Sequence, residues 1–285
     1  MGSILDDRLG EKLKHQSTSR PVLRISGPTT SAVTDQFAVE APLEIRVDGE
    51  PFAVTMRTPG DDRSLVLGFL VGEGIVSTLD SIGSASHCGS ADVDGHHNVF
   101  EVKSAPGRPL ILPGDLIARR GTLTTSSCGV CGRQRIDDLI ESCTRADDVS
   151  TMSHGSLISA VAHLRDRQPL FEMTGGCHAA SLVGLSGEPW VTFEDVGRHN
   201  AVDKVIGALF LSEALPARSG ALIVSGRVSF EVVQKALRAG ISIVAGVSAA
   251  TSLAVDVALR CNLTLAVFAR DENLVITTGK HRITD

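Results

Sequence analysis

The chain has 285 residues, of which 42% are hydrophobic, and its formal net charge is -6. This length allows two ordinary domains or one large one, with a core that needs no disulfides. Six cysteines are too sparse for the disulfide framework of a small secreted module, and the acidic balance argues against a general nucleic-acid binder. No apolar run reaches the roughly 18 residues that a membrane span needs, so we expect a soluble, cytoplasmic protein that binds no membrane.

The first part of the sequence predicts a tail followed by a small β-rich domain. Residues 1–20 are polar and lack an apolar period, so they are assigned to a flexible tail, and residues 21–120 to an α+β N-terminal domain. Within this domain, Asp48-Gly49 stands between two alternating apolar runs and predicts a β-hairpin. The turn that ends at Asp62 predicts the start of a helix.

The last part of the sequence, residues 151–285, alternates between short buried-type strands and amphipathic helices. Strands followed by glycine-containing loops are predicted at residues 170–173, 190–193, 221–224 and 241–244, and a further strand at residues 262–268. This alternation predicts a layered α/β domain with a mainly parallel sheet. In such sheets ligands bind at the carboxyl ends of the strands, where these loops lie.

Residues 121–150 are predicted to be a flexible segment and linker, and they contain the motif Cys128-Gly129-Val130-Cys131-Gly132. An exposed thiol near a cation such as Arg133 is shifted toward its reactive thiolate form. The spacing leaves four interpretations open: half of a zinc site, a dithiol switch, an inert loop and a thiol that carries sulfur. A zinc site would need further ligands, for which Cys143 and His154 are the candidates.

Other cysteine and histidine pairs give weaker signals. His87-Cys88 and His96-His97 are interpreted as parts of a polar loop, because no second cluster stands nearby at ligand spacing, and no metal ligand is assigned. Cys177-His178 follow a predicted strand and are expected at a helix N-terminus, where the helix dipole would favour a thiolate. A packed, inert Cys177 is the preferred interpretation.

Arginines follow three of the predicted strands. Arg198 comes after Asp195-Val196-Gly197, Arg227 comes after Ser225-Gly226, and Arg270 lies in the segment from Phe268 to Asn273. Three such loops at one end of a sheet indicate an anionic, nucleotide-like ligand. The candidate contacts in the glycine loops are His178, Arg198, His199 and Arg227.

Five motifs together make the chain resemble the FdhD family, the accessory sulfur carriers needed for formate dehydrogenase. The motifs are Arg57 to Asp62, Cys128 to Gly132, Thr174 to Ala180, Phe193 to Lys204 (FEDVGRHNAVDK) and Ser225 to Glu231 (SGRVSFE). The resemblance implies a three-layer, cytidine-deaminase-like fold for residues 151–285. It also implies that the protein accepts persulfide sulfur from a cysteine desulfurase. The sulfur then passes to the molybdenum cofactor, in its bis(molybdopterin guanine dinucleotide) form, before the cofactor enters formate dehydrogenase.

The resemblance implies roles for individual residues. Cys128 is the expected persulfide carrier, and Cys131 is expected to assist it. The segment Phe268-Ala269-Arg270-Asp271-Glu272-Asn273 is expected to hold one guanine nucleotide arm of the cofactor, for which GDP is a mimic. In that segment Arg270 can pair with a phosphate, Asp271 or Glu272 can accept from the guanine, and Phe268 can stack on the base. A charged hairpin turn is the alternative interpretation.

Deaminase chemistry is not expected, whatever the fold. Zinc deaminases need a Glu two residues after their His ligand and a Pro-Cys-x-x-Cys motif further along the chain. Here Ala180 stands in place of that Glu, and the cysteine pair precedes His178. A zinc-binding structural module and a nucleotide-binding scaffold with redox-sensing thiols stay open as alternatives. We also expect a homodimer, because closed two-fold dimers are the commonest assembly.

Overall fold

A computed structural model describes residues 10–92, 95–110, 143–270 and 272–285. Its strands are β1 (Ser17–Ser26), β2 (Thr29–Ala38), β3 (Ala41–Val47), β4 (Glu50–Arg57), β5 (Ile82–His87), β6 (Val99–Ser104), β7 (Met152–Ser153), β8 (His178–Gly184), β9 (Pro189–Asp195), β10 (Gly220–Val224), β11 (Ile243–Gly246), β12 (Thr264–Arg270), β13 (Asn273–Thr278) and β14 (Ile283–Thr284). Its α-helices are α1 (residues 10–16), α2 (Asp62–Gly72), α3 (His154–Arg165), α4 (Pro169–Thr174), α5 (Arg198–Leu211), α6 (Phe230–Arg238) and α7 (Ser252–Arg260). None of the helices described is long and apolar enough to cross a membrane.

Six strands form the central sheet, in the order β13-β12-β11-β10-β8-β9. β10, β11 and β12 are parallel to one another, whereas β8, β9 and β13 pair antiparallel with their neighbours. The prediction of a mainly parallel sheet is therefore wrong. Short turns join β8 to β9 and β12 to β13, and a short connection allows only antiparallel pairing.

Helices cover both faces of the central sheet. Alternate residues of its strands point to opposite faces. Leu182, Leu222 and Val244 belong to the core shared with α5, α6 and α7, while Val183 and Ile223 belong to the core shared with α3. This part of the protein thus has three layers, helix, sheet and helix, and the fold is mixed α/β. The likeness to the cytidine deaminase fold stays a prediction.

A second sheet, in the order β4-β3-β6-β5, lies in the N-terminal part. The predicted hairpin at Asp48-Gly49 is confirmed, since β3 and β4 pair across it and both turn residues have positive φ. The inward residues Leu43, Ile45 and Phe100 are 2% exposed or less and belong to the same hydrophobic cluster as α5 and α6. The predicted N-terminal domain therefore shares its core with the C-terminal one.

Helices α2 and α5 join the two parts at very close range. A Cβ atom on Gly68 of α2 would lie 1.8 Å from the carbonyl oxygen of Asp203, and one on Gly207 of α5 would lie 1.8 Å from that of Ser64. Only glycine allows the two backbones to approach this closely. The contact fixes the N-terminal part against the central sheet.

Buried charges strengthen this seam between the two parts. Lys204 and Asp195 are both fully buried, with Nζ 2.7 Å from Oδ2. Lys204 also donates to the carbonyl of Thr58, and Asp195 accepts from the Thr58 N–H. Each buried charge has a partner, as it must to offset the loss of hydration.

Residues 10–20 do not form the predicted tail. Residues 10–16 are helical, and β1 begins at Ser17 and pairs with β2. Gln16 is buried and donates to the carbonyl of Pro59, and Lys12 lies 2.6 Å from Asp61. The sequence does not predict this structure, because β1 is mostly exposed and its residues do not alternate between buried and exposed.

Two predictions at the start of the C-terminal part are also wrong. Residues 170–173 belong to helix α4, not to a strand, and Pro169 lies in its first turn, where a missing N–H costs nothing. Cys177 and His178 therefore lie at the start of strand β8 and not at a helix N-terminus. The chain reverses at Gly175, whose φ is +65°.

Part of the predicted flexible linker is held in place. The side chain of Arg282 is buried and donates to the carbonyls of Ala146 and Asp148. The side chain of Asn262 also donates to Ala146. Residues 146–148 are thus fixed against the C-terminal end of the chain by polar contacts that have no periodic signature.

Candidate functional site

The candidate site lies at one edge of the central sheet. The carboxyl ends of β10, β11 and β12 meet there because these strands are parallel, and β8 begins there because it is antiparallel to β10. The pairing of His178 with Asp195 brings the end of β9 to the same edge. Helices α5 and α6 begin at this edge, and helix N-termini favour negative charge.

A cavity of about 770 Å³ opens beside this edge. Helices α3 and α4 form one wall, and the loops after β10 and β11 form the other. The polar side chains that line it are Arg165, Gln168, Cys177, His178, Ser225 and Arg270. Its volume lies in the range typical of small-molecule sites, about 300–1,000 Å³.

A cluster of cationic and imidazole side chains surrounds His178. Burial lowers the pKa of His178 below its ordinary value, and the charges of Arg198, His199 and Arg227 lower it further. A Cβ atom on Gly226 would lie 3.3 Å from His178 Nδ1, so the loop after β10 passes close to the imidazole. Low pKa and close cations indicate a neutral imidazole next to an electropositive region.

Arg198 has an unused donor within this cluster. Its Nε is buried and has no hydrogen-bond partner among the described residues. Buried donors are normally satisfied in folded proteins. An anionic ligand at the sheet edge would supply the missing acceptor.

Phe268, Ala269 and Arg270 form the end of β12, and Asn273 begins β13, which pairs antiparallel with β12. Phe268 is 46% exposed and has a φ of +52°, at a register shift in β12, and its N–H donates to Ser248. Such a conformation is costly for a bulky residue. The bulge turns the aromatic ring toward solvent, where a planar base can stack on it.

The other residues of that segment are divided between different environments. Arg270 is exposed and lines the cavity, whereas Ala269 is buried in its wall. Glu272 and Asn273 are exposed on the turn, and Asp271 lies outside the described residues. β12 and β13 thus form a hairpin, as the alternative interpretation predicts. Exposed residues of a hairpin can still bind a ligand.

Cys177 is a buried wall residue of the cavity. Its thiol lies 3.4 Å from Oε1 of Glu194 and donates to it. Burial raises the pKa of Cys177, and the neighbouring carboxylate raises it further. The N–H groups of Leu170 and Phe171 hold that carboxylate in place. A protonated, packed thiol fits the interpretation of Cys177 as inert.

His199 is held between two residues at the start of α6. Its Nδ1 lies 2.8 Å from Oε2 of Glu231, and its Nε2 lies 2.9 Å from Oγ of Ser229. The imidazole side chain is 11% exposed. His199 and Arg198 are adjacent in sequence, but His199 is committed to contacts within the protein.

Cys128 and Cys131 lie outside the described residues. The two further candidates for a zinc site have different neighbours: Cys143 interacts with Cys261, and His154 Nδ1 lies 3.2 Å from the carbonyl of Thr284. Burial raises the pKa of Cys143 to about 11. In the part of the chain that the structure describes, no three His, Cys, Asp or Glu side chains are arranged to hold a metal.

The sequence pattern does not predict one wall of the cavity. This wall includes Arg165 of α3, Gln168 just before α4 and Phe171 of α4, whereas the sequence predicts a strand at residues 170–173. A proline at the first helical position was the available signal. The contact of His199 with Ser229 and Glu231 joins two of the sequence motifs through tertiary structure alone.

Comparisons with known proteins agree with one another. The family model for the FdhD/NarQ family matches residues 38–284. A protein of Anaeromyxobacter dehalogenans named sulfur carrier protein FdhD is 45% identical over 270 residues, which cover 93% of this chain and 92% of that protein. A protein of the same name from Mycobacterium tuberculosis is 42% identical over 278 residues, covering 95% and 99%.

A solved structure has the same fold. It is the crystal structure of a protein proposed to be a formate dehydrogenase accessory protein, from Desulfotalea psychrophila. The TM-score is 0.74 at 23% identity, and the match covers 94% of this chain and all of that one. By its family match and its curated relatives, this chain belongs to the FdhD/NarQ family.

Proposed function

We propose that this protein is a sulfur carrier for the maturation of formate dehydrogenase. It accepts sulfur from a cysteine desulfurase on Cys128 and delivers it to the molybdenum cofactor before the cofactor enters formate dehydrogenase. The relatives named sulfur carrier protein FdhD support the general role. The observation that carries the delivery step is the electropositive sheet edge with its cavity.

The chemistry of the carrier step follows from the two cysteines. The Cys128 thiolate attacks the outer sulfur of the desulfurase persulfide, forms Cys128-S-SH and releases the desulfurase thiolate. Cys131 could attack the new persulfide, expel sulfide and leave a disulfide. The carrier must therefore keep Cys131 away from the persulfide until the acceptor is bound.

The cofactor, as cargo, would be held by its guanine dinucleotide arms. Arg270 on the cavity and Arg198 with its unused Nε are donors for the phosphates. Phe268 offers an exposed ring for the guanine. One such site in each subunit of a homodimer would accommodate the two arms, and light scattering that shows a dimer at micromolar concentration is the test of that arrangement.

Other functions fit less well. Deaminase chemistry has less support, because Ala180 stands in place of the catalytic Glu and no metal-holding group of His, Cys, Asp or Glu side chains is found among the described residues. A zinc module predicts close to one zinc per chain, which metal analysis of the purified protein would detect. A redox-sensing scaffold predicts that Cys128→Ala retains full support of formate dehydrogenase.

Intact-protein mass spectrometry tests the carrier step. After incubation with a cysteine desulfurase and cysteine, the wild type should gain the mass of one sulfur atom. Cys128→Ala should not gain it, and Cys131→Ala should be impaired in support of formate dehydrogenase. The buried cysteine variant Cys261→Ala is the matched control and should load normally. Normal loading of Cys128→Ala would contradict the proposal.

Calorimetry with GDP tests the cargo site. The wild type should bind GDP, and Arg270→Ala should bind it at least tenfold more weakly, because a charge-assisted hydrogen bond contributes about 1.5–3 kcal/mol. Arg218→Ala is the matched control, since Arg218 is exposed just before the opposite end of β10. No GDP binding at millimolar ligand would place the cargo site elsewhere.

A further inference from the structure

The contact between His199, Glu231 and Ser229 has the geometry of a nucleophile, a base and an orienting acid. Glu231 Oε2 lies 2.8 Å from one imidazole nitrogen, and Ser229 Oγ lies 2.9 Å from the other. When Nδ1 carries the proton and donates to the carboxylate, Nε2 is left to accept the proton of the hydroxyl. This is the arrangement that activates a serine for nucleophilic attack.

The position of Ser229 strengthens this interpretation. Ser229 is the residue before the first residue of α6, but its side chain makes no capping hydrogen bond. A serine at that position normally accepts from the N–H groups of the first turn. Here the hydroxyl is directed to the imidazole instead. Within the described residues, the N–H of Phe230 donates no hydrogen bond, so it is available to a developing oxyanion.

Ser153 shows the ordinary alternative in the same molecule. It stands at the equivalent position before α3, and its hydroxyl accepts from the N–H of Ser156 in the usual way. Ser229 thus contacts a base where Ser153 caps its helix. The two serines form a natural pair of test and control.

We propose that Ser229 is an activated nucleophile that cleaves carboxylic esters bearing a negative charge. Its oxygen attacks the ester carbonyl carbon, and its proton passes to Nε2 of His199. The leaving alcohol takes that proton as the carbon–oxygen bond breaks. Water, deprotonated by Nε2 of His199, then attacks the acyl carbon. The bond to Ser229 Oγ breaks, Oγ takes the proton back from His199, and the acid is released. Arg198 and Arg227 flank the triad in sequence and lie near His178, so they select an anionic substrate.

This activity is independent of the sulfur carrier role, because it uses no cysteine. Diisopropyl fluorophosphate, which reacts with activated serines, is the first probe. We expect one adduct per chain, mapped to Ser229 by peptide mass spectrometry. Ser229→Ala should abolish the adduct, whereas Ser153→Ala and Cys128→Ala should keep it. His199→Gln should slow labelling by about 10²-fold or more, the usual contribution of a general base.

Hydrolysis of 4-nitrophenyl esters is the second probe. An anionic ester, 4-nitrophenyl succinate, should be cleaved faster than neutral 4-nitrophenyl acetate, and the Ser229→Ala variant should lose this activity. Circular dichroism melting curves that match the wild type would show that the variants are folded.

Two results would overturn the proposal. One is a wild type that neither reacts with diisopropyl fluorophosphate nor cleaves either ester, which would leave the triad as a structural link between α5 and α6. The other is labelling of His199→Gln at the wild-type rate, because no base would then be required.

Discussion

The seam between the two parts of the molecule and the edge of the central sheet use charged residues in opposite ways. At the seam, Lys204 and Asp195 are fully buried and satisfy each other and the backbone around Thr58. At the edge, the buried Nε of Arg198 has no partner among the residues that the structure describes, and Arg227 is exposed. The Lys204–Asp195 pair at the seam is therefore complete without a ligand, whereas Arg198 at the edge keeps a donor for one.

The difference indicates where function can be located. A fully satisfied ion pair has no free donor or acceptor for another molecule. Removing it therefore changes the stability of the fold. An unsatisfied buried donor lowers the stability of the free protein. Such donors are expected at sites where a bound ligand supplies the missing acceptor. Substitutions at the seam should thus change folding, and substitutions at the edge should change binding.

The largest effect is expected from removing one partner of the seam pair. Lys204→Met leaves the buried Asp195 without its counter-ion and should lower the free energy of unfolding by about 3–5 kcal/mol, measured by urea denaturation. The double variant Lys204→Met with Asp195→Asn removes both charges and should lose less than the single one. Equal stability of wild type and Lys204→Met would remove the distinction between seam and edge.

The helix crossing at the seam should be nearly as sensitive. Gly68→Ala forces a methyl group into the space occupied by the Asp203 carbonyl, 1.8 Å away, and should cost about 3 kcal/mol in urea denaturation. Gly155→Ala is the matched control in helix α3, where the new Cβ has no atom nearer than 3.9 Å. The control should be neutral or stabilising by up to about 1 kcal/mol. A tolerated Gly68→Ala would mean that α2 can move away from α5.

At the sheet edge, Arg198→Ala should change binding and leave the fold almost unaffected. We expect GDP affinity to fall about tenfold or more, because a charge-assisted hydrogen bond is lost. The free energy of unfolding should stay within about 0.5 kcal/mol of the wild type, since no partner is left unpaired. Calorimetry and urea denaturation measure the two quantities. A large loss of stability with unchanged GDP affinity would mean that Arg198 stabilises the fold, as the seam residues do, and does not bind the ligand.

The smallest effect concerns pH. The pKa of His178 is lowered in the folded protein, so as pH falls below the ordinary value of about 6.5 the unfolded chain binds more protons than the folded one. His178 should therefore reduce stability progressively between pH 6.5 and its lower folded pKa, and should have no such effect above pH 6.5. NMR titration should give a pKa below the ordinary value. In His178→Gln, the fall in melting temperature across this window should be smaller, and an unchanged fall would refute the assignment.

Several elements were predictable because their signals are local. The hairpin at Asp48-Gly49 needs only two turn residues with positive φ between alternating strands. Helices α5 and α6 show their buried faces in the spacing of Val202, Val205 and Leu209 and of Phe230, Val233 and Leu237. The loops with Arg198 and Arg227 were found in the same way, from glycines that follow buried strands.

Other elements could not be predicted because their causes are distant in sequence. The order of residues 10–20 depends on contacts of Gln16 with Pro59 and of Lys12 with Asp61. The helix at residues 169–174 is too short to show a helical period. The direction of β8, which places His178 at the sheet edge, follows from its pairing with β10 some 40 residues later.

The sequence by itself determined the family, the mixed α/β class and the residue types available for chemistry, because motifs, periodicity and composition are all local properties of the chain. Tertiary structure alone decided which of those residues meet. It brought Arg198, Arg227 and His178 to one edge, enclosed Lys204 with Asp195, and set His199 between Ser229 and Glu231. The physical reason is that strand pairing and helix crossing are long-range contacts, whose energies depend on partners that no local window contains.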